Sequence, residues 1–247
     1  MQIGQREFKP KLLPSVATLL ILPILIALGF WQLDRAEQKR VILTAVTEKM
    51  NSETLHKIPT EKKIIDAQYQ KIKLRGQFDS SHLIYIDNKI VFGKVGYYVV
   101  SLFLVSDSNK RVLVNLGWVS MGKSRQDLPS VKIPEGIVTI TGRIKTNVGQ
   151  VFSLSEQSFD VVGWPLVVQW ISPQQLSSLL KINIQSLMIL LDTPKDKSNE
   201  YEKQFKRDWK YISSSPDMHT SYAMQWFSLA LVLVLIYIGV NTKKATT

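Results

Sequence analysis

The first group able to do chemistry is His219, set in Pro216-Asp217-Met218-His219-Thr220-Ser221-Tyr222-Ala223-Met224-Gln225-Trp226-Phe227 at the mouth of the second of two uncharged apolar stretches. A metal-ligating side chain at a membrane boundary costs less than one in the hydrocarbon, yet it still needs a partner. His219, Tyr222, Ala223 and Trp226 follow the spacing i, i+3, i+4, i+7, so a helix places all four on one stripe. That stripe suits a flat apolar macrocycle with an axial histidine: Ala223 leaves room beside the ligand, and Tyr222 and Trp226 offer stacking surfaces. A plainer reading fits the same residues, with Asp217 or Thr220 capping the helix, Tyr222 and Trp226 in an aromatic belt, and His219 reaching the headgroups.

On the first stretch, Gly29-Phe30-Trp31-Gln32-Leu33-Asp34-Arg35 emerges at the same face. Gly29 permits close helix approach, and Gln32 and Arg35 are placed to pair with a carboxylate or propionate. The plainer reading makes these an interfacial anchor, with Arg35 on Asp34 or lipid phosphate. A third block, Val112-Leu113-Val114-Asn115-Leu116-Gly117-Trp118-Val119, reads as a buried strand whose glycine, like Gly93 and Gly96, marks a bulge or a close backbone approach. His56 and His82 lack a His, Asp or Glu in metal-site spacing and are expected at the surface. Phosphate loop, nucleophile elbow and paired-His zinc motif are all missing, so an enzyme using His56 or His82 as base has no matched nucleophile.

The elements that position these groups follow from charge. Leu12 to Trp31 and Tyr222 to Val240 carry no charged residue, and each spans about 30 Å as a helix. Both are expected to cross a membrane, the first with a kink near Pro23. Arg6, Lys9 and Lys11 also resemble a signal-peptide n-region, with Ala27-Leu28-Gly29 as a small-residue site. The run is too long for a typical h-region, and an uncleaved anchor is the simpler expectation. Basic residues before the first span and Lys243 and Lys244 after the second put both tails in the cytoplasm. The expected division is residues 1–11 as N-tail, 12–31 and 222–240 as spans, 32–221 as an extracytoplasmic domain, and 241–247 as C-tail.

Of the net charge of +11, residues 1–11 hold +2 and the C-terminal lysines +2, leaving +7 on a segment facing away from the genome. Lipid headgroups, not nucleic acid, are the expected counter-charge. The chain has no cysteine, which excludes disulfides, thiolate chemistry and covalent c-type haem attachment. Any haem is held non-covalently.

Between the spans, Leu33 to about Met50 continues the first helix out of the membrane, and Asn51 to Lys63 is a polar connector. From Tyr69 the period becomes two, giving strands at Tyr69–Leu74, Leu83–Ile86, Tyr97–Val105, Arg111–Val119, Ile137–Ile144, Leu166–Ile171 and Ser186–Leu191. Turn chemistry sits at Asp87-Asn88, Gly93, Asp107-Ser108-Asn109, Gly122, Pro134-Glu135-Gly136 and Asn147-Val148-Gly149. Pro173 to Leu180 is a helix with Ser172 as N-cap. Tyr201, Phe205 and Trp209 recur every four residues within Asn199–Ile212, as a basic amphipathic helix on the membrane surface or as an extended segment packed on the sheet, with Ser213 to Pro216 leading back to the bilayer. The fold class is a membrane protein with two transmembrane helices flanking an α+β, β-dominated domain; barrel and sandwich are both open.

Three blocks in this order between two spans resemble the surfeit locus protein 1 family, membrane assembly factors of cytochrome c oxidase. The first resembles its Gly-x-Trp-Gln-x-x-Arg motif at Gly29, Trp31, Gln32 and Arg35. The second is similar to Val-Leu-Val-Asn-Arg-Gly-Trp, with Leu116 in place of the arginine. The third resembles Pro-x-x-His-x-x-Tyr-Ala-x-x-Trp-Phe at Pro216, His219, Tyr222, Ala223, Trp226 and Phe227. The resemblance implies a non-enzymatic respiratory-chain factor that binds haem a transiently, with His219 as axial ligand to the haem iron, Tyr222, Ala223, Trp226, Trp31 and Gln32 shaping the site and Arg35 neutralising a propionate. Met218 and Met224 are candidate second ligands. Implied partners are subunit I of the oxidase and other assembly factors, and the competing expectation is a structural chaperone that touches no cofactor. Leu116 removes any contact made by the family's arginine. With no Arg- and Ser-rich transit peptide, the expected location is a bacterial cytoplasmic membrane, with the main domain periplasmic.

Overall fold

The computed structural model describes residues 2–3, 6–122, 127–146, 148, 163–193, 203–211 and 215–244. The chain divides into two compact units, Met1–Ala45 with Tyr211–Thr247, and Val46–Lys210. In the first, α1 (Leu12–Asn51) is one helix of 40 residues containing Pro23, so the helix does continue beyond its apolar part. The closing helix of the chain, here α4 (Pro216–Asn241), has Pro216 in its first turn. Both are long and apolar enough to cross a membrane. Two short strands, β1 (Gln2–Ile3) and β2 (Arg6–Phe8), precede α1 and a last one, β10 (Thr242–Lys244), follows α4. β2 pairs antiparallel with both, Phe8 opposite Thr242. Below them the Ser15 and Tyr237 hydroxyls lie 3.0 Å apart, and Asn241 Oδ1 accepts from the Lys11 amide.

The second unit is built on β3 (Lys71–Phe78), β4 (Ile84–Val91), β5 (Lys94–Val105), β6 (Arg111–Ser120), β7 (Ile137–Lys145), β8 (Leu166–Val168) and β9 (Ile184–Leu191). A short helix α2 (Glu61–Ile64) leads into them, and α3 (Pro173–Leu180) packs beside β9. The sheet order is β3-β7-β9-β6-β5-β4-β8, and β3 also pairs with β5 through Gly76 opposite Val105. That extra pairing closes five strands into a ring, β3-β7-β9-β6-β5, with β4 and β8 continuing the sheet from the first half of β5. The barrel-or-sandwich alternative resolves to a barrel. Alternation follows the pleat: on β3, Ile72, Leu74 and Phe78 point inward, where they join Val99, Phe103, Val114, Leu187 and Ile189.

β6 carries a bulge. Val99 of β5 faces Gly117 and Val100 faces Asn115, so Leu116 is the extra residue and its side chain enters the core at 1% exposure. Gly117 takes φ +136°, and a Cβ there would lie 2.8 Å from Phe205 Cβ. At Gly93, with φ +73° and open space around it, only the backbone penalty applies. Gly117→Ala is therefore expected to cost roughly 2–3 kcal/mol against about 1 kcal/mol for Gly93→Ala. Denaturant unfolding of both variants in the same detergent checks the ranking, and equal losses would refute the collision.

Several expectations are corrected. Asp87-Asn88 is no chain reversal: it is a bulge within β4, with Asn88 at φ 59°, and the turn lies at Phe92-Gly93. Ser172 stands at the N-cap of α3, but its hydroxyl bonds Gln174 Oε1, not a backbone amide. Residues 205–210 form no helix, and Lys206 exchanges both backbone hydrogen bonds with Trp118. The amphipathic helix is thus replaced there by its alternative. Tyr201, Ile212, Ser213 and Ser214, and the Asn147 and Gly149 of the proposed turn, lie outside the described residues.

Candidate functional site

The site builds from the two long helices. His219 lies in the first turn of α4, where Ser215 is the N-cap residue. Neither expected side-chain cap operates: the Thr220 hydroxyl returns to the Pro216 carbonyl, and Asp217 simply adds negative charge to the first turn, favourable against the helix dipole. On α1, Gln32 occupies the turn that follows Gly29. Its Oε1 lies 2.8 Å from His219 Nδ1. An amide oxygen only accepts, so Nδ1–H is the donor, and in the neutral ring Nε2 carries the lone pair. One ring nitrogen is thus oriented by a neighbour, an arrangement compatible with ligation through the other.

The surrounding residues are distributed unevenly. Ala223, one turn after His219, is buried at 1% exposure, while Tyr222 is 48% and Trp31 53% exposed. Trp226 is half-buried. Arg35 does not pair with Asp34 directly; its guanidinium donates to Gln38 Oε1 at 2.8 Å, and Gln38 Nε2 donates to Asp34 at 2.8 Å. Arg40 donates to Thr220 at 3.4 Å, a contact between the helices that no motif singles out. Met218 and Met224 are exposed. What Gly29 admits is the ring of Phe227, not the α4 backbone: a Cβ there would meet ring atoms 2.5 to 2.9 Å away. Phe30 meets the same ring edge-on at 5.4 Å. Hence Gln32 and His219 are bonded and Gly29 and Phe227 packed, whereas Trp31, Arg35 and Tyr222 stand around them on exposed helix faces.

The third block is structural. Val112, Leu113, Val114 and Leu116 are all buried, and Trp118 at 1% exposure donates Nε1–H to the Lys89 carbonyl at 2.9 Å. Asn115 Oδ1 accepts from the Gly117 amide across the bulge. The backbone carbonyl of Leu116 accepts from Arg207 Nε at 2.6 Å. A leucine side chain at this position serves the core.

The SURF1 family model matches residues 19–231, which takes in all three blocks. The chain belongs to the SURF1 family. Among similar proteins is a SURF1-like protein of Rickettsia felis, 26% identical over 91% of this chain and 95% of its own length. The cytochrome oxidase assembly protein SHY1 of Saccharomyces cerevisiae is 28% identical over 50% of this chain and 32% of its own length. Surfeit locus protein 1 of Takifugu rubripes is 25% identical over 51% of this chain and 59% of its own length.

The other histidines of this SURF1 family member differ from each other. His56 is exposed, as expected. His82 is not an isolated surface residue: it is half-buried, with Nδ1 2.6 Å from Asp79 and its ring edge-on to Trp164 at 4.6 Å. The Asp79–His82 spacing of three is short enough to have been noticed, but a pair alone is no metal site. Among the described residues no group of three or more His, Cys, Asp or Glu gathers to hold a metal ion.

Proposed function

We propose that this protein is a membrane assembly factor for cytochrome c oxidase that receives haem a near the outer membrane face and assists its insertion into subunit I. The observation that carries this reading is the Nδ1–H···Oε1 bond from His219 to Gln32, in a chain of the SURF1 family. It orients the imidazole so that Nε2 would be the nitrogen offered to iron. Haem a is cargo here, and when bound it supplies an iron centre that accepts one nitrogen ligand. The protein's own residues hold and orient it. His219 would be the ligand to its iron, with its ring set by Gln32; Trp31, Tyr222 and Trp226 would offer flat surfaces and Arg35 a cation for a propionate, while Ala223, already buried, keeps the following turn of α4 small. A single histidine gives the modest affinity that transfer needs.

The two apolar helices are compatible with anchoring, and the Rickettsia relatives with a bacterial protein. We infer a two-span protein of the cytoplasmic membrane, both tails cytoplasmic and the strand-rich domain periplasmic, which works with oxidase subunits and other assembly factors in contact with lipid and performs no catalysis.

The test is purification from membranes of cells that make haem a, followed by a reduced-minus-oxidised spectrum. A haem a band co-purifying near one per chain supports delivery. Its absence from well-folded protein that still carries oxidase subunits would replace it with a structural chaperone. Gln32→Leu supplies a finer check: losing the orienting acceptor is expected to weaken haem retention roughly 10–100-fold without displacing the ligand. Titrating haem a into the apo form of each variant measures it, and unchanged affinity would remove Gln32 from the site.

A further inference from the structure

The strand-rich unit has a cleft of about 360 Å³ on the outer face of β4, β5, β6 and β9. Its floor comes from the side chains that alternate away from the barrel interior, Met188 and Leu190 of β9, beside Ile171. All three are buried. Trp170 and Trp209 form walls, and Tyr98 tilts against Trp209 with ring centroids 5.4 Å apart. Lys89, on the bulged β4, and Lys145, at the end of β7, enter the same cleft, together with Lys210 and Asp208. Three ammonium groups and one carboxylate therefore share a hollow whose lining is about half polar, with Asn115 and Gln169 beside the apolar floor.

Physical chemistry makes that arrangement asymmetric. Desolvation of the part facing the cleft lowers the Lys145 ammonium from its ordinary pKa, although the residue as a whole is exposed. Burial, then the nearby Lys145 charge, lowers that of Lys89 against the opposing pull of Asp87. Two ammonium groups that each cost more when charged are relieved by one anion placed between them. The apolar floor and indole walls reward a hydrocarbon attached to that anion. Nothing in the assembly role of the long helices uses this hollow, and its volume suits a headgroup with a short apolar stretch better than a peptide.

We propose that this cleft binds an amphipathic anion, with a phosphate or carboxylate head between Lys89 and Lys145 and an apolar tail along Met188, Leu190 and the two tryptophans. Such a ligand comes either from an anionic phospholipid or from a soluble acyl phosphate or acid. Calorimetric titration of octyl phosphate into the full chain in phosphatidylcholine nanodiscs, against empty discs, reads the site. One saturable site is expected, with inorganic phosphate and octanol each at least tenfold weaker. Lys89→Met with Lys145→Met should weaken octyl phosphate at least tenfold. Asp208→Asn should tighten it, a direction that a folding defect does not mimic. Absence of saturable binding above empty discs, indifference to both substitutions, or inorganic phosphate binding as tightly would overturn the proposal. In phosphatidylglycerol discs at high salt, where surface potential is screened, competition against octyl phosphate supports the site with lipid as its natural source. Unchanged binding there supports the site with a soluble source.

Discussion

His219→Ala is expected to reduce bound haem a from about one per chain to below about a tenth, while the protein still inserts and keeps its helical signal. The removed imidazole is the only nitrogen ligand proposed for the iron, and His219 is half-buried in the first turn of α4, where alanine is a good helix former. The structural loss is small: the bond to Gln32 disappears, but Gln32 is itself only partly buried and water replaces the partner. Phe227 against Gly29 and the Ser15–Tyr237 contact are untouched, so the helices stay joined. Adding free imidazole to the variant should restore part of the spectrum by filling the vacated position. Stoichiometric haem a retained by His219→Ala would sink the ligand assignment, whatever the state of oxidase assembly.

Trp118→Ala carries the largest expected loss of stability, about 3–5 kcal/mol. This is the largest fully buried side chain among the described residues. Its ring packs over Gly96, where a Cβ would collide with ring atoms at 2.6 and 2.7 Å, and its Nε1 secures the Lys89 carbonyl at the β4 bulge. Lys206 lies 5.5 Å from the ring centroid and pairs with the Trp118 backbone on both sides, so the 204–210 segment loses its seat as well. Against a total of about 5–15 kcal/mol for an ordinary domain, that is about a fifth at the least. Trp118→Phe keeps most of the volume and strands the Lys89 carbonyl, for an expected cost of about 2 kcal/mol. Urea unfolding followed by protease sensitivity at fixed detergent measures both. Losses below about 1 kcal/mol for Trp118→Ala would mean that the core repacks around the gap.

Local chemistry made much of this legible. Alternation located all seven strands of the domain, and proline at the first helical position with Leu176, Leu179 and Leu180 on one face located α3. Charge-free runs located both long helices. What failed to show was pairing over distance. Ring closure depends on Gly76 meeting Val105, and no spacing rule links β3 to the far end of β5. Every fourth residue of Tyr201, Phe205 and Trp209 is aromatic, which imitates a helix, yet the backbone bonds with Trp118 override that periodicity. Asn88 reads as a turn residue because its type favours positive φ; the same preference serves a bulge. At the site, Gln32 and His219 were each recognisable, but their bond spans 187 positions, and Gln32 by itself pointed equally to a propionate.

The strand order has a consequence for how the chain is made. β9 is the last ring strand to leave the ribosome, and it lies between β6 and β7, parallel to the first and antiparallel to the second. Until Ile184–Leu191 is synthesised, β6 and β7 each present an open edge, and no shorter nascent fragment has a closed sheet. The α1 segment is by then already synthesised, so the domain completes itself behind a finished helix. A premature stop anywhere before residue 184 therefore yields not a smaller working unit but an edge-exposed product, the form that quality-control proteases and aggregation recognise first.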